Sequence, residues 1–512
     1  MATALQRSRR LVLPEVIGRG RRAHPDRAAL VFGDAERTHA ALHERAERLA
    51  TVLVQAGVRR GDRVALLLHN GLEFPESLLA CHAVGAVAVP VNFRLAPDEI
   101  AYILRDAGAV ALIAGEGSPS PAVDGLVLTT GRVYEDAIAS ADPHTQTAGL
   151  REDDPALMCY TSGTTGRPKG AVLTHGNLVA STLSWIHEMR AGQGDVWLSG
   201  QPLFHIGGIN GLLPFLTLGA TSIVTPTTGF DPEAALERIE RHGVTICIFV
   251  PTQWDMLCRS ERVARLDRSR LRVAMWGASP APRATLELMA GTFPEADIVS
   301  AYGQTEMAGA TTLLKGADAV RKMGSVGRPM PGVELRVVDD ELRDVPVGGV
   351  GEVVYRGPTV MAGYHDDPDA SAQAFAGDWF HSGDLATRDQ EGYLWLVDRK
   401  KDLIVSGGEN VYPAEVERVL LEHEAVADVA VIGVPDPRWV ETPMAFVVAA
   451  GEVDEDALIA HCRERMAGFK KPSAVVFVDA LPRNAAGKVL KRELRATAPD
   501  LYPVQPTGGP ET

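Results

Sequence analysis

The chain has 512 residues and a mass of 54.8 kDa, more than one ordinary hydrophobic core accommodates, so two or more domains are expected. Its 46% apolar and 23% charged residues leave little room for extensive disorder. The net charge of -15 excludes a bulk affinity for nucleic acid or anionic membrane, although a single site can still be locally positive.

At the amino terminus Arg7, Arg9 and Arg10 precede Leu11-Val12-Leu13, but Pro14 and Glu15 break that run too early for a secretory apolar region. No stretch of the length needed to span a bilayer is free of polar interruption, so no integral membrane segment is expected. Cys81, Cys159, Cys247, Cys258 and Cys462 have no metal-ligand spacing and read as small hydrophobes of a reducing compartment, with the cytoplasm as the default location.

From Asp62 onward short apolar strands alternate with helical periodicity. The predicted strands are Val64 to Leu68, Ala86 to Val91, Ala109 to Ile113, Asp195 to Leu198, Thr221 to Val224, Val244 to Val250 and Leu271 to Met275. Helices are predicted over Leu72 to Val84 and Pro232 to Arg241, the second with Asp231 as its cap and Pro232 at its first position. This alternation predicts α/β architecture with sheets covered by helices. After residue 320 the texture becomes β-rich, with strands at Val333 to Val338 and Gly351 to Arg356 joined by turns containing Pro346 and Gly348-Gly349. Beyond Gly392 to Val397 a compact α+β unit is predicted: a helix over Pro413 to Glu422, strands at Val426 to Val434 and Ala445 to Val448, a helix over Glu455 to Met466 and a strand at Ala474 to Val478. The resulting division is a large multi-subdomain domain over 1–398, a hinge at 399–402, a small mobile domain over 403–500 and a tail at 501–512.

The segment "CYTSGTTGRPKGAVLTHGN", Cys159 to Asn177, places glycines and hydroxyls between two apolar runs. Gly163, Gly166 and Gly170 permit tight turns whose backbone N–H groups face an anion, Thr161, Ser162, Thr164 and Thr165 add hydroxyl donors, and Lys169 adds positive charge. The order G-x-x-G-x-x-K-G differs from that of a Walker loop, so P-loop mechanics are not implied. A phosphate cradle is the preferred reading and a solvent turn the alternative.

"YTSGTTGRPKG" resembles the phosphate loop of the AMP-forming acyl-CoA synthetase and adenylation-domain superfamily, to which luciferases and peptide-synthetase adenylation domains belong. The segments that follow occur in the order of that family: "PLFH" (202–205), "GASP" (277–280), "YGQTE" (302–306), "SGDL" (382–385), "DRKKD" (398–402), "GGENVYPAEVE" (407–417) and "PRNAAGK" (482–488). The resemblance covers nearly the whole chain.

It implies a two-step reaction. A carboxylate is a poor acyl donor until it attacks the α-phosphate of ATP, giving a mixed anhydride with AMP and releasing pyrophosphate; Mg²⁺ and Lys side chains offset the accumulating negative charge. By resemblance, Thr161, Ser162, Gly163, Thr164, Thr165, Gly166 and Lys169 hold the ATP phosphates, Thr305 contacts phosphate, and Glu306 helps hold Mg²⁺. Tyr302, Gly303, Gly277, Ala278 and Ser279 surround adenine, and Asp384 with Arg399 takes the ribose hydroxyls. The family commonly has Thr before this Gly-Asp, and Ser382 preserves the hydroxyl. Lys488 reaches the α-phosphate and carboxylate during adenylation, while His205 orients the carboxylate.

The same resemblance implies that the small domain then turns about Lys401 and that Ser406, Gly407, Gly408 and Glu409 form the thiol passage. Trp197, Phe204, His205, Ile206, Trp276 and Met307 are candidate walls of the acyl pocket.

These residues imply a carboxylate:CoA ligase that uses ATP, Mg²⁺ and CoA, with a hydrophobic, medium or longer aliphatic acid as the leading substrate class. The alternatives are an arylcarboxylate or natural-product acid:CoA ligase, an enzyme loading a carrier protein, and a noncatalytic acyl-nucleotide-binding regulator. Homo-oligomerisation is left open.

Overall fold

Strands buried on both faces read as continuous apolar runs, and Ile246–Phe249 and Val87–Pro90 are buried at every position. The computed structural model describes residues 9–119, 123–144, 149–161, 167–227, 229–277, 281–406, 408–483 and 489–501. The chain divides into two compact units, the first made of Met1–Leu335, Tyr355–Phe380 and Gly392–Leu394, the second of Arg336–Val354, His381–Glu391 and Trp395–Thr512.

The first, α/β unit carries a nine-stranded and a seven-stranded sheet. In the larger, the parallel neighbours Val273–Gly277, Ile246–Phe249, Val196–Ser199, Thr221–Val224 and Ala28–Phe32 lie side by side, and Asp297–Gln304 pairs with Val273–Gly277 on the other flank. In the smaller, Val87–Pro90, Arg63–Leu67 and Ala109–Ala114 form the parallel centre. Its far flank is the antiparallel pair Pro155–Thr161 and Lys169–Thr174, with Thr161 opposite Lys169.

Strand ends moved where helix chemistry intervened. The strand expected over Val244 to Val250 shortens to Ile246–Phe249: Pro251 starts a helix immediately after it, and Val244 N–H bonds Ile239 O to close the preceding helix, Pro232–Arg241. That preceding helix has the expected bounds, and the Asp231 carboxylate accepts the Glu233 N–H at 2.9 Å. The strand expected over Leu271 to Met275 is Val273–Gly277, a shift set by its register against Ile246–Phe249.

The second unit contains most of a four-stranded sheet formed by Glu334–Val338, Gly351–Arg356, Phe380–Arg388 and Leu394–Arg399. It continues into a five-stranded sheet whose longest strands, Val426–Asp436 and Val440–Ala449, form an extended antiparallel ladder. Side chains alternate across that ladder. Val429 and Val431 pack with Val416, Leu420 and Leu458, whereas Ala430, Ile432 and Val434 pack with Leu494 and Ala498. One sheet thus supplies two small cores, one on each face, in a smaller α+β unit.

The five cysteines are free; Cys81, Cys159, Cys247 and Cys462 are buried and Cys258 half-buried. Among the described residues no helix is long and apolar enough to cross a membrane.

Candidate active site

In the first unit, the strand Asp297–Gln304 delivers Tyr302 and Gly303 to a short 3-10 turn, Thr305–Met307. The next strand crosses so near that a Cβ on Gly303 would stand 2.0 Å from Gly309 O, so only glycine fits there. Ala308 turns the backbone with φ 54°, an uncommon conformation for a residue with a Cβ. Its carbonyl accepts hydrogen bonds from Ser181 Oγ at 3.0 Å and from Asn210 Nδ2, which fix the turn from two helices.

The turn presents Glu306 to two hydroxyl donors: Tyr364 Oη at 3.0 Å and Thr161 Oγ1 at 3.3 Å, both to Oε1. Tyr364 belongs to a two-residue strand, Gly363–Tyr364, laid against Val172 and Ala171, and Met361 N–H bonds Glu306 O at 2.8 Å. The face of the Tyr364 ring carries Lys169 Nζ 5.5 Å from its centroid, and Lys169 also lies 3.5 Å from Asp367. One tyrosine therefore touches both the carboxylate and the cation that the sequence singled out. Burial first, and the Glu306 charge second, push the adjacent Cys159 thiol up to about 12, so it stays protonated.

His205 is the N-cap residue of the helix Ile206–Leu218, and its ring lies 4.7 Å from that of Phe204. Its side chain keeps solvent-accessible surface, yet protein surrounds the imidazole; desolvation, then the Arg94 charge, lowers its pKa to about 4. It is neutral at neutral pH. Phe204, Ile206, Trp276, Met307 and Trp197 are all buried. Trp197 stacks on Phe215 with centroids 5.2 Å apart. Gly277 ends the strand Val273–Gly277 opposite Ala301.

In the second unit, Asp384 is 5% exposed and its Oδ1 lies 2.6 Å from Arg399 Nε, so these two sequence-distant residues meet directly. Ser382 Oγ accepts the Asp384 N–H at 3.0 Å, a turn bond for which Ser suffices in place of Thr. Buried Glu352 receives Gly383 N–H, His381 and Lys400 Nζ. Burial opposes its charge, but these hydrogen bonds prevail and its pKa is lowered. Lys401 is exposed in the 3-10 turn Lys400–Asp402, whose Asp402 pairs with Arg495 at 2.8 Å. Ser406 pairs with Glu409 across a tight hairpin in which Gly408 has φ 87°, a value suited to glycine.

Residues 19–365 match the family described as AMP-binding enzyme, and residues 415–488 match the AMP-binding enzyme C-terminal domain. A feruloyl-CoA synthase from Amycolatopsis sp is 41% identical over 93% of this chain and 96% of its own length. This chain belongs to the AMP-forming acyl-CoA ligase family. Among solved structures, the ligase is similar to o-succinylbenzoate CoA synthetase from Bacillus subtilis in complex with the acyl-adenylate intermediate OSB-AMP, with a TM-score of 0.85 and 32% identity, covering 94% of this chain and 97% of that one. It is also similar to Mycobacterium tuberculosis fatty acyl CoA synthetase, with a TM-score of 0.78 and 33% identity, covering 96% and 99% respectively.

Of the ligase residues expected from sequence, Ser162, Gly163, Thr164, Thr165, Gly166, Ala278, Ser279, Gly407 and Lys488 lie outside the described residues. Within the first unit the structure brings together Thr161, Lys169 and Glu306, and within the second Asp384 and Arg399. Tyr364 carries no signal in the sequence, because it stands 58 residues beyond Glu306 and its neighbours form no chemical motif. Ser181, Asn210 and Glu352 are equally silent, since none of them belongs to a chemical motif until its partner is seen.

Proposed function

We propose that this ligase activates an aromatic carboxylic acid, of the arylalkenoate or aryl type, and transfers it to CoA. The observation that carries this reading is the likeness to a feruloyl-CoA synthase at 41% identity, against 33% for the fatty acyl CoA synthetase, each over more than nine-tenths of this chain. The aromatic alternative therefore takes precedence over a medium or longer aliphatic acid. Buried Phe204, Ile206, Trp276 and Met307, with the Phe204 ring 4.7 Å from that of neutral His205, are compatible with an apolar acyl body.

The acid substrate is already ionised near neutral pH, so no general base is needed to start adenylation. Neutral His205 hydrogen-bonds one carboxylate oxygen and orients it. Lys169, with Thr161 and the residues through Gly166, holds the β and γ phosphates, and Thr305 adds a hydroxyl contact. Glu306 is suited to Mg²⁺: it is a single carboxylate held in place by two hydroxyls, and no group of three or more His, Cys, Asp or Glu able to hold a metal occurs among the described residues. That donor set fits a hard divalent cation, which Glu306 would help hold and which would supply charge neutralisation at the phosphates. Tyr302, Gly303 and Gly277 to Ser279 contact adenine; Asp384 and Arg399 take the ribose hydroxyls. Lys488 stabilises charge in adenylation only, and Ser406 to Glu409, repositioned about Lys401, admits the thiol in the second step.

Acid-dependent exchange of labelled pyrophosphate into ATP across a panel of cinnamates, benzoates and C6 to C16 fatty acids tests the substrate class. Exchange with cinnamates or benzoates exceeding that with every fatty acid is the expected result. Exchange confined to fatty acids overturns the proposal.

A further inference from the structure

Residues 201–204 belong to no strand or helix, and Pro202 has no N–H, so the backbone groups on either side of it need partners from elsewhere. Asn70 supplies them from the other sheet of the first unit. It lies three residues past the strand Arg63–Leu67 of the seven-stranded sheet and is 6% exposed. Its Oδ1 accepts the Leu203 N–H at 2.7 Å, and its Nδ2 donates to Gln201 O at 3.1 Å and to Thr225 O at 3.0 Å. One N–H and two carbonyls admit only this orientation of the amide, and both of its hydrogens are used. The side chain thus bonds the residues flanking Pro202 as a neighbouring strand would, and ties them to Thr225, just beyond the strand Thr221–Val224 of the nine-stranded sheet.

The segment held in this way leads into His205. His205 N–H bonds Pro202 O at 3.2 Å, and the N–H groups of Gly208 and Ile209 bond His205 O to open the helix Ile206–Leu218. Gly208 packs so near that a Cβ there would stand 2.2 Å from Pro202 O. The place of the His205 backbone therefore follows from residues 201–203. A second path runs through rings: the centroid of His69, the neighbour of Asn70, lies 3.8 Å from that of Phe93, Phe93 lies 5.4 Å from Phe204, and Phe204 4.7 Å from His205. One turn thus bears on His205 twice, through its backbone and through the ring beside it.

Resting on the reading of His205 as the residue that orients the substrate carboxylate, we propose that Asn70 is a positioning residue for adenylation. It fixes residues 201–203 and, through them, the place of the imidazole against the acid. A small misplacement of an orienting group is costly to the reaction, and here the cost falls on the acid and not on the nucleotide.

The test is a double-variant cycle in acid-dependent ATP–pyrophosphate exchange, with the panel acid that supports the most exchange. KM for the acid, KM for ATP and thermal midpoints are measured for the wild type, Asn70→Ala, His205→Ala and the two combined. Asn70→Ala is expected to raise KM for the acid about tenfold, the scale of one or two neutral hydrogen bonds, with KM for ATP changed by less than about twofold. In the His205→Ala background the same change is expected to cost about twofold or less, because its route to the acid is gone. An equal penalty with and without His205 overturns the inference, as does an equal rise in both KM values. If His205→Ala leaves KM for the acid unchanged, the reading of His205 itself has failed and this inference falls with it. Should Asn70→Ala not fold, the same cycle with Asn70→Asp, which keeps an acceptor for Leu203 N–H, decides between these outcomes.

Discussion

Tyr364→Phe removes one hydroxyl and keeps the ring whose face carries Lys169 Nζ at 5.5 Å, so it isolates the contact to Glu306. A hydrogen bond to a charged group contributes about 1.5–3 kcal/mol. Here the carboxylate keeps the Thr161 hydroxyl at 3.3 Å and the site is only part-buried, which places the loss near the lower end, about 1–2 kcal/mol. That corresponds to roughly 5–30-fold in an equilibrium or rate. If Glu306 serves Mg²⁺, a carboxylate freed from one restraint binds the ion in a less defined geometry. The variant is therefore expected to need more Mg²⁺ for half-maximal acid-dependent ATP–pyrophosphate exchange, and to be slower by about that factor at limiting Mg²⁺. Superimposable Mg²⁺ titrations of variant and wild type would refute the assignment of Tyr364 as the residue that positions Glu306.

Gly303→Ala puts a Cβ 2.0 Å from Gly309 O and must push two strands apart; a loss of about 1–3 kcal/mol in urea unfolding is expected, and an unchanged midpoint contradicts the packing described. Asp384→Asn removes the charge paired with Arg399 at 2.6 Å, and the expected outcome is a raised KM for ATP with a smaller change in the KM for the acid; equal changes in both count against a ribose role. His82 and His175 are fully buried, and desolvation lowers their pKa values to about 3 and about 4. The unfolded chain protonates both below about pH 6.5 while the folded chain does not, so stability is constant above that pH and falls as pH drops from about 6.5 towards 4. At pH 5.5 the loss is about 1–3 kcal/mol for the pair, read as a lower thermal midpoint than at pH 7.5; equal midpoints reject the buried, neutral state. Lys488→Ala is expected to retain ATP binding by calorimetry while losing most adenylation, and near-normal adenylation rejects its role.

The α/β layout was legible because strands covered on both faces leave unbroken apolar runs, as at Ile246–Phe249, and because Asp231-Pro232 stands directly before a helical stretch, where Asp caps and Pro fits the first turn. The charged partners Asp384 and Arg399 were legible only through the family resemblance; no spacing rule joins residues that come from two different strands. What stayed hidden depends on long-range pairing. Tyr364 acquires its contacts only when its two-residue strand zips onto Ala171 and Val172, and Asn210 only when Ala308 adopts a positive φ beside it. Apolar identity was also ambiguous: Trp197, expected as a pocket wall, is buried with its ring stacked on Phe215. The acid was least legible, since hydrophobic walls fit alkyl and aryl bodies alike.

The most direct measurement is a competition in one vessel. Purified enzyme receives ATP, Mg²⁺, CoA and equal concentrations of ferulate and decanoate, and the acyl-CoA products are quantified by mass spectrometry together with AMP. An aryl-CoA product in clear excess, formed with stoichiometric AMP, is the expected result. Decanoyl-CoA in excess, or AMP formation with no acyl-CoA of either kind, contradicts an aromatic acid:CoA ligase.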